Sequence, residues 1–243
     1  MTSSPFNHPG LRQLPVNDVI SLFGSEHTTY VYEHLGVPLL DNLDPRELAA
    51  VTGAALRRVH TFAAGRLCAH AALKARGMDR TPLLPRADGQ VDWPAEAPGT
   101  IAHTDGYAIA AVLADPKLHV AIGIDVEVLG AVSDDVIEIA FTPAERERLG
   151  TLEAAARIRT ATIMFCAKEA FYKAQFQLTG AWIDFHDVEV SVASTGISLH
   201  PTTNREALGM FRWPLSGGYA VREGVVIVAT LIPTTRFIAL PCL

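Results

Sequence analysis

The 243-residue sequence contains little cysteine, no long apolar run and no excess of positive charge. Its three cysteines, Cys68, Cys166 and Cys242, are far apart and odd in number, which excludes a disulfide framework and the common metal-binding spacings. No apolar stretch approaches the ~20 residues of a membrane-spanning helix, and the first ten residues lack the pattern of a signal peptide. These absences predict a soluble protein of a reducing cytoplasm.

The charge balance argues against a general nucleic-acid-binding protein. The formal net charge is −6 and the pI is near 5.8, so the chain lacks the positive field of a general nucleic-acid binder. Hydrophobic residues make up 49% of the sequence, enough for an ordinary globular core, and no short-period repeat or low-complexity segment interrupts it.

The patterns along the chain predict an α+β fold. Capping residues open helices at "LDPRELAAV" and "TPAERERL", and longer helices are predicted over 54–76 and 154–177, with 81–99 as a proline-rich ordered loop. Strands are predicted at 107–114 and 119–129, in "HDVEVSV", "GISLH" and "MFRWPL", and in a hairpin over 218–232 that turns near Glu223 and Gly224. We expect two subdomains, residues 1–117 and 118–243, that meet near Asp115 to Ala121.

The segment "IGIDVEV" places two acids in a run that otherwise resembles a core strand. Because side chains alternate along a strand, Asp125 and Glu127 share one face and Ile124 and Val126 the other. Two carboxylates about 7 Å apart can turn onto one hard cation such as Mg²⁺, although a solvent-facing strand edge is the better explanation of this pattern taken alone. Without a cation the pair should repel, so that one acid has a raised pKa or a basic neighbour, Lys173 or Lys168.

Three further groups of residues carry polar chemistry. In "FCAKEAFYKA", Glu169 and Lys173 are i, i+4 neighbours on a helix that is otherwise apolar and aromatic. In "TIAHTDGY", His103 precedes a buried strand. In "RRVHTFAAGR", Arg58 and Arg66 lie about two helical turns apart and can reach one anion, while Gly65 suggests the close approach of another element.

Together and in this order, these motifs resemble one family. "GIDVE", followed by "KEAFYK" and preceded by "GTIAH" and "FAAGRLCAHAAL", resembles the 4′-phosphopantetheinyl transferases, within them the Sfp-like group and its enterobactin synthetase component D type. The resemblance runs from about Arg58 to Ala174. It implies a pseudo-dimer of two similar α+β halves, each a small antiparallel sheet with a long helix, with coenzyme A in the cleft between them.

The resemblance also implies an activity. Such enzymes transfer the phosphopantetheine arm of coenzyme A to a serine of an apo acyl or peptidyl carrier protein, releasing adenosine 3′,5′-bisphosphate. They work as monomers with Mg²⁺, or with Mn²⁺ in its place, and serve non-ribosomal peptide, polyketide or siderophore biosynthesis. No nucleic acid or membrane span is expected.

By the family motifs, Asp125, Glu127 and Glu169 would bind the metal, and Glu169 would take the serine proton directly or through a water. Lys173 would contact the α-phosphate or leaving oxygen, with His103 on the 3′-phosphate or pyrophosphate. The remaining implied contacts to coenzyme A are those of Lys168, Arg58, Arg66, Arg86 and position 102.

Two positions depart from the family pattern. Phe165 replaces the usual tryptophan before the "KE" pair, and we expect this change of volume to be tolerated. Ala102 replaces a serine or threonine, which removes one hydroxyl contact to coenzyme A, and Thr100 lies too far back to substitute for it.

Two other classes remain open. Acids on a strand with a glutamate and a lysine nearby also describe a Mg²⁺-dependent nuclease or phosphodiesterase, but the acidic net charge does not favour a polyanionic substrate. A non-catalytic binding module would have no need for the intact set of Asp125, Glu127, Glu169 and Lys173.

Overall fold

The computed structural model describes residues 10–25, 29–38 and 40–238. Its first sheet is antiparallel, in the order β1-β2-β4-β3. The strands are β1 Leu11–Gln13, β2 Thr29–Leu35, β3 Gly99–Thr104 and β4 Tyr107–Leu113. The helices of this half are α1 Val16–Phe23, α2 Pro45–Ala49 and the long α3 Leu56–Ala75.

Helix α3 packs closely on the first sheet. A Cβ atom added at Gly65 would lie only 2.7 Å from Ile101 Cγ2 of β3, so the helix needs a glycine at this contact. This confirms the close approach predicted for Gly65. Small side chains such as Ala69 and Ala72 continue the contact into a core shared with β4.

The second sheet is also antiparallel, in the order β5-β9-β8-β7-β6. Its strands are β5 His119–Val128, β6 Val188–Ala193, β7 Gly196–Pro201, β8 Leu215–Arg222 and β9 Val225–Pro233. Its helices are α4 Asp134–Ala140, α5 Pro143–Gly150, the long α6 Ala154–Thr179 and α7 Glu206–Gly209. Short 3₁₀ turns occur at Leu40–Asn42, Phe185–Asp187 and Thr234–Arg236. Among the described residues, no helix is both long and apolar enough to cross a membrane.

Strand β5 lies where the two halves meet. Its apolar side chains, Ile122, Ile124 and Val126, join a core that includes residues of the first sheet. The unpaired edge of β5 is also occupied: Ile124 N donates to Thr100 Oγ1 of β3 at 3.2 Å. At the same edge, Gln177 Nε2 donates to the Ile122 carbonyl at 2.7 Å. The edge of β5 that is not paired with β9 is therefore covered by β3 and α6.

The α+β class is confirmed, and most predicted elements are present. Both capping boxes exist, at Asp44 with Glu47 and at Thr142 with Glu145. Segment 81–98 is a loop, and the hairpin of β8 and β9 turns at 223–224. The strand predicted in "MFRWPL" is wrong: Phe211 forms an isolated bridge and β8 begins at Leu215, because Pro214 has no N–H for a strand ladder. Cys242 lies outside the described residues.

Candidate active site

The site forms where helix α6 crosses the polar face of β5. A Cβ atom at Gly123 would lie 1.8 Å from the Ala170 carbonyl oxygen, so only glycine lets the helix come this close. This contact brings Glu169 and Lys173 of α6 next to Asp125 of β5. The alternation predicted for "IGIDVEV" therefore places the two acids on the face of β5 that packs against helix α6.

Lys173 is the basic neighbour that the two strand acids required. Its Nζ donates to Asp125 Oδ1 at 2.7 Å and to the Ile124 carbonyl at 3.1 Å. Asp125 is buried, and its other oxygen, Oδ2, is also buried and receives no hydrogen bond from the described residues. One carboxylate oxygen is thus neutralised by lysine and the second is left for another ligand.

The other two acids, Glu127 and Glu169, have raised pKa values. Burial, followed by the charge of Asp125, raises the pKa of Glu127, and the same two causes in the same order raise the pKa of Glu169. Lys173 opposes both shifts. Thr104 Oγ1 donates to Glu127 Oε2 at 3.4 Å. Three carboxylates around one lysine leave the cluster with excess negative charge, and this favours a cation.

His103 and Arg58 lie on the facing side, on β3 and α3. Arg58 Nη1 is 3.4 Å from His103 Nε2. His103 is exposed, but desolvation by the surrounding protein lowers its pKa, and the charges of Lys173 and Arg58 lower it further. These shifts favour the neutral imidazole, and the fold brings His103 and Arg58 together.

Arg66 and Arg86 lie further from the acids. Arg66 is buried, its Nε donates to the Leu83 carbonyl at 2.8 Å, and its guanidinium lies 4.4 Å from the Phe62 ring centre. Burial lowers its pKa to about 10, and the nearby charge of Arg58 adds to this shift. Arg86 is exposed and its Nε donates to Asp92 Oδ1 at 2.8 Å. Arg66 Nε also lies 3.9 Å from Glu47 Oε1, so this guanidinium is engaged within the first half, and Arg86 lies on the 81–98 loop.

Two predicted contacts fall outside the cluster. Ala102 is 3% exposed and its side chain belongs to the apolar core between the sheets. Thr100 Oγ1 accepts a hydrogen bond from Ile124 N of β5 and lines the cavity beside Lys173. Lys168 is 4% exposed, and its Nζ lies against Glu145 and the carbonyls of Phe185 and Val188. Neither the Ala102 methyl group nor the Lys168 ammonium faces the acids.

Two cavities adjoin the acids and Lys173. One, of about 460 Å³, lies between the 88–93 loop, β3 and the end of α6, and Lys173 and Gln177 line it. The other, of about 190 Å³, is mainly aromatic and lies beside Glu169, with Tyr172, Trp182 and Phe185 in its wall. Gln177 and Trp182 were not predicted, although Gln177 lies one turn after Lys173 and the i+4 spacing points to it.

Comparison with known proteins decides the family. The model of the 4′-phosphopantetheinyl transferase superfamily matches residues 121–221, and that of the 4′-phosphopantetheinyl transferase N-terminal domain matches 46–113. The 4′-phosphopantetheinyl transferase Svp of Streptomyces mobaraensis is 34% identical over 78% of this chain and 78% of its own length. The chain belongs to the 4′-phosphopantetheinyl transferase superfamily.

Other relatives support the enzyme class. The 4′-phosphopantetheinyl transferase PptT of Mycobacterium tuberculosis is 30% identical over 77% of this chain and 85% of its own. Enterobactin synthase component D of Escherichia coli is 33% identical over 56% of this chain and 65% of its own. A holo-(acyl-carrier-protein) synthase of Bacillus anthracis, solved with coenzyme A, covers 48% of this chain and 97% of its own at 24% identity and a TM-score of 0.38. By the family models and the sequence relatives, this chain is a 4′-phosphopantetheinyl transferase.

The acids of this transferase fit a divalent cation by their chemistry. Carboxylate oxygens are preferred ligands of Mg²⁺, and the buried Oδ2 of Asp125 has no other partner among the described residues. Within residues 10–25, 29–38 and 40–238, no three His, Cys, Asp or Glu side chains are already arranged as a ligand set. Asp125, with Glu127 and Glu169 nearby, would be the residues to hold such a cation.

Proposed function

We propose that this transferase moves 4′-phosphopantetheine from coenzyme A to a serine of an apo acyl or peptidyl carrier protein and releases adenosine 3′,5′-bisphosphate, in a Mg²⁺-dependent reaction. The active site would lie in the cleft between residues 1–117 and 118–243. One observation carries the proposal: Asp125, Glu169 and Lys173 form one cluster, with His103 and Arg58 facing it. All five come from one chain, so a monomer suffices.

The distribution of charge suits a diphosphate with a second phosphate group. Arg58 and Arg86 provide exposed guanidinium groups on the first half, to which the buried Arg66 adds positive charge, and guanidinium groups bind phosphate well. His103 lies between Arg58 and Lys173 and would donate to a phosphate oxygen through whichever ring nitrogen carries the proton. Phosphates bound here would lie between these cations and the acids of the second half.

Asp125, Glu127 and Glu169 would hold Mg²⁺. When bound there, this ion supplies positive charge to the pyrophosphate oxygens as the bond to the leaving phosphate breaks. Lys173 would stabilise the same developing negative charge. Its Nζ would then donate to an α-phosphate oxygen in place of Asp125 Oδ1.

Glu169 would act as the base toward the carrier serine. Its pKa is raised by burial and by Asp125, and a carboxylate with a higher pKa accepts a proton more readily. The position of Glu169 beside the aromatic cavity supports this role, because a slender pantetheine arm in that cavity would lie next to the reacting group. Trp182 and Phe185 would cover the apolar part of the arm.

The test is the incubation of the protein with coenzyme A, Mg²⁺ and a panel of apo acyl and peptidyl carrier proteins, read by mass spectrometry. We expect a gain of one phosphopantetheine mass on the carrier serine, and adenosine 3′,5′-bisphosphate as the second product. A carrier Ser→Ala variant is the matched control. The panel also addresses the pathway, which we propose to be non-ribosomal peptide, polyketide or siderophore biosynthesis, since one relative is an enterobactin synthase component.

No mass gain on any carrier, with Mg²⁺-dependent cleavage of DNA or of a phosphodiester instead, would reject the proposal in favour of a nuclease or phosphodiesterase. The geometry does not favour that outcome. The cleft holds a few separate cations rather than an extended basic surface, as a phosphate-bearing small molecule requires.

A further inference from the structure

The Lys168 ammonium group has no hydrogen left for a substrate. A lysine ammonium carries three N–H donors. In this structure three acceptors surround Nζ: the Phe185 carbonyl at 2.6 Å, the Val188 carbonyl at 2.8 Å and Glu145 Oε2 at 2.8 Å. The side chain is also buried. A phosphate would have to break one of these bonds to reach Lys168.

Glu145 is the centre of this arrangement. It is fully buried, and its carboxylate accepts from Thr142 N at 2.8 Å and from Val190 N at 2.7 Å in addition to Lys168. A buried carboxylate needs such a complete set of donors to offset its desolvation. The group therefore ties three elements together: the start of α5, the middle of α6 and the beginning of β6.

The first half contains the same arrangement. Glu47 is fully buried and accepts from the Leu83 N–H at 2.8 Å, while His70 Nε2 lies 2.8 Å from its Oε1. His70 follows Glu47 by 23 residues, and Lys168 follows Glu145 by the same 23 (168 − 145). The offset between the halves is 98 residues at each position (145 − 47, 168 − 70).

The two halves share more residues at this 98-residue offset than the glutamate and its basic partner. Asp44 and Thr142 open the two capping boxes, each followed by proline, and "CAH" at 68–70 corresponds to "CAK" at 166–168. In each half a base on the long helix holds a buried capping glutamate, which in turn holds a backbone N–H beyond that helix. We call each such unit a glutamate lock: Glu47 with His70, and Glu145 with Lys168.

The second lock lies beneath the aromatic cavity. The two carbonyls bound by Lys168 belong to Phe185 and Val188, and both residues line that cavity together with Lys168 itself. Phe185 is further held by stacking on Phe165 of α6, with ring centres 5.7 Å apart. Glu169 follows Lys168 directly in the helix. One ammonium group thus fixes the cavity wall and the helical turn that presents Glu169.

We propose that Lys168 is a positioning residue rather than a phosphate ligand, and that the lock of Glu145 with Lys168 holds segment 183–190 as the wall that receives the pantetheine arm next to Glu169. This inference rests on the proposed function for the identity of the ligand. It differs from the role that the family resemblance implies for Lys168.

The test compares two ligands that share the 5′-diphosphate and the 3′-phosphate and differ in the pantetheine arm. Binding of coenzyme A and of adenosine 3′-phosphate 5′-diphosphate is measured by calorimetry for wild type and Lys168→Met. We expect coenzyme A affinity to fall about tenfold or more, as misplacement of a supporting element costs, while the affinity for adenosine 3′-phosphate 5′-diphosphate changes less than twofold. Lys117→Met, at an exposed loop position, controls for the loss of one positive charge.

Amide hydrogen exchange gives a readout that does not depend on activity. In Lys168→Met, exchange should accelerate in segment 183–190. In His70→Met, which breaks the first lock, the same segment should exchange as in wild type. Because loss of one partner from a buried pair is costly, the double variant Glu145→Gln/Lys168→Met removes both charges together and keeps the test available if the single variant does not fold.

Equal losses of affinity for the two ligands would overturn the proposal, since they would show a direct phosphate contact. Unchanged exchange in segment 183–190 of a folded Lys168 variant would overturn it as well. A wild-type protein that binds neither ligand and modifies no carrier would instead reject the proposed function, and the exchange result would still decide whether the lock holds this segment.

Discussion

Replacement of Lys173 by methionine should destabilise the protein even without any substrate, because Lys173 is the cation bonded to the buried Asp125. The Nζ–Oδ1 distance is 2.7 Å, and the side chains of Lys173 and Asp125 are 29% and 10% exposed. A hydrogen bond to a charged group contributes about 1.5–3 kcal/mol, and a fully exposed ion pair about 0.2–1 kcal/mol. Since this pair is partly screened, we expect a loss of about 2 kcal/mol in the free energy of unfolding.

The assay is thermal and urea denaturation at pH 7.5 in the absence of metal. For a chain of this size, about 2 kcal/mol corresponds to a fall of roughly 4–8 °C in Tm. A double-mutant cycle with Asp125→Asn separates the pair from other effects of the methionine. We expect a coupling energy of about 1–2 kcal/mol, because the neutral amide retains little of the attraction. Lys117→Met, which changes net charge equally at an exposed position, should leave Tm nearly unchanged.

A Tm equal to or above that of wild type, or a coupling energy near zero, would refute the reasoning. Either result would mean that the three acids are not held by Lys173 in the resting protein.

Glu169→Gln should lower transfer about 10³-fold by loss of the base. It should also gain stability relative to wild type as pH rises above the ordinary glutamate pKa of 4.5. Because the pKa of Glu169 is raised in the native state, the unfolded state loses this proton first, so the wild type loses stability as pH rises through that interval and the amide variant does not. Parallel denaturation curves for both proteins between pH 4.5 and 8 would contradict this. Gly123→Ala should cost about 3 kcal/mol or more and reduce transfer, because its Cβ would press on the Ala170 carbonyl and push α6 away from β5; a folded variant with wild-type kcat and Tm would show that the helix has room there. Ala102→Ser should cost about 1–3 kcal/mol of stability and leave the coenzyme A KM unchanged, since its hydroxyl would be buried in the apolar core; a lower KM would show that the side chain reaches the ligand.

The sequence predicted the elements that are stabilised by interactions between residues close together in the chain. The boxes at Asp44 and Thr142 fix α2 and α5 by bonds within four residues, so they can be read directly from the chain. Strand β2 was not predicted because its pattern contains Glu33. That carboxylate is fully buried and is neutralised by Arg12 and by Arg222, which lies 189 residues away. A sequence window contains no trace of such a partner.

The same reason separates the two lysines of "KEAFYK". Lys173 is an i+4 neighbour of Glu169, so its place on the same helical face follows from the spacing. Lys168 lies five residues before Lys173, about 140° around the helix, and faces Glu145 instead. The family resemblance assigned both lysines to phosphates, and only the fold distinguishes them.

The 98-residue offset between the glutamate locks shows that the two halves repeat one pattern. Position 71 of the first half corresponds to Glu169 of the second (169 − 71), and it holds alanine. A symmetric pair would carry an acid in both places and two equivalent sites. Because only the second half carries the acid, the first half contributes His103 and Arg58 opposite it rather than a second copy of the site.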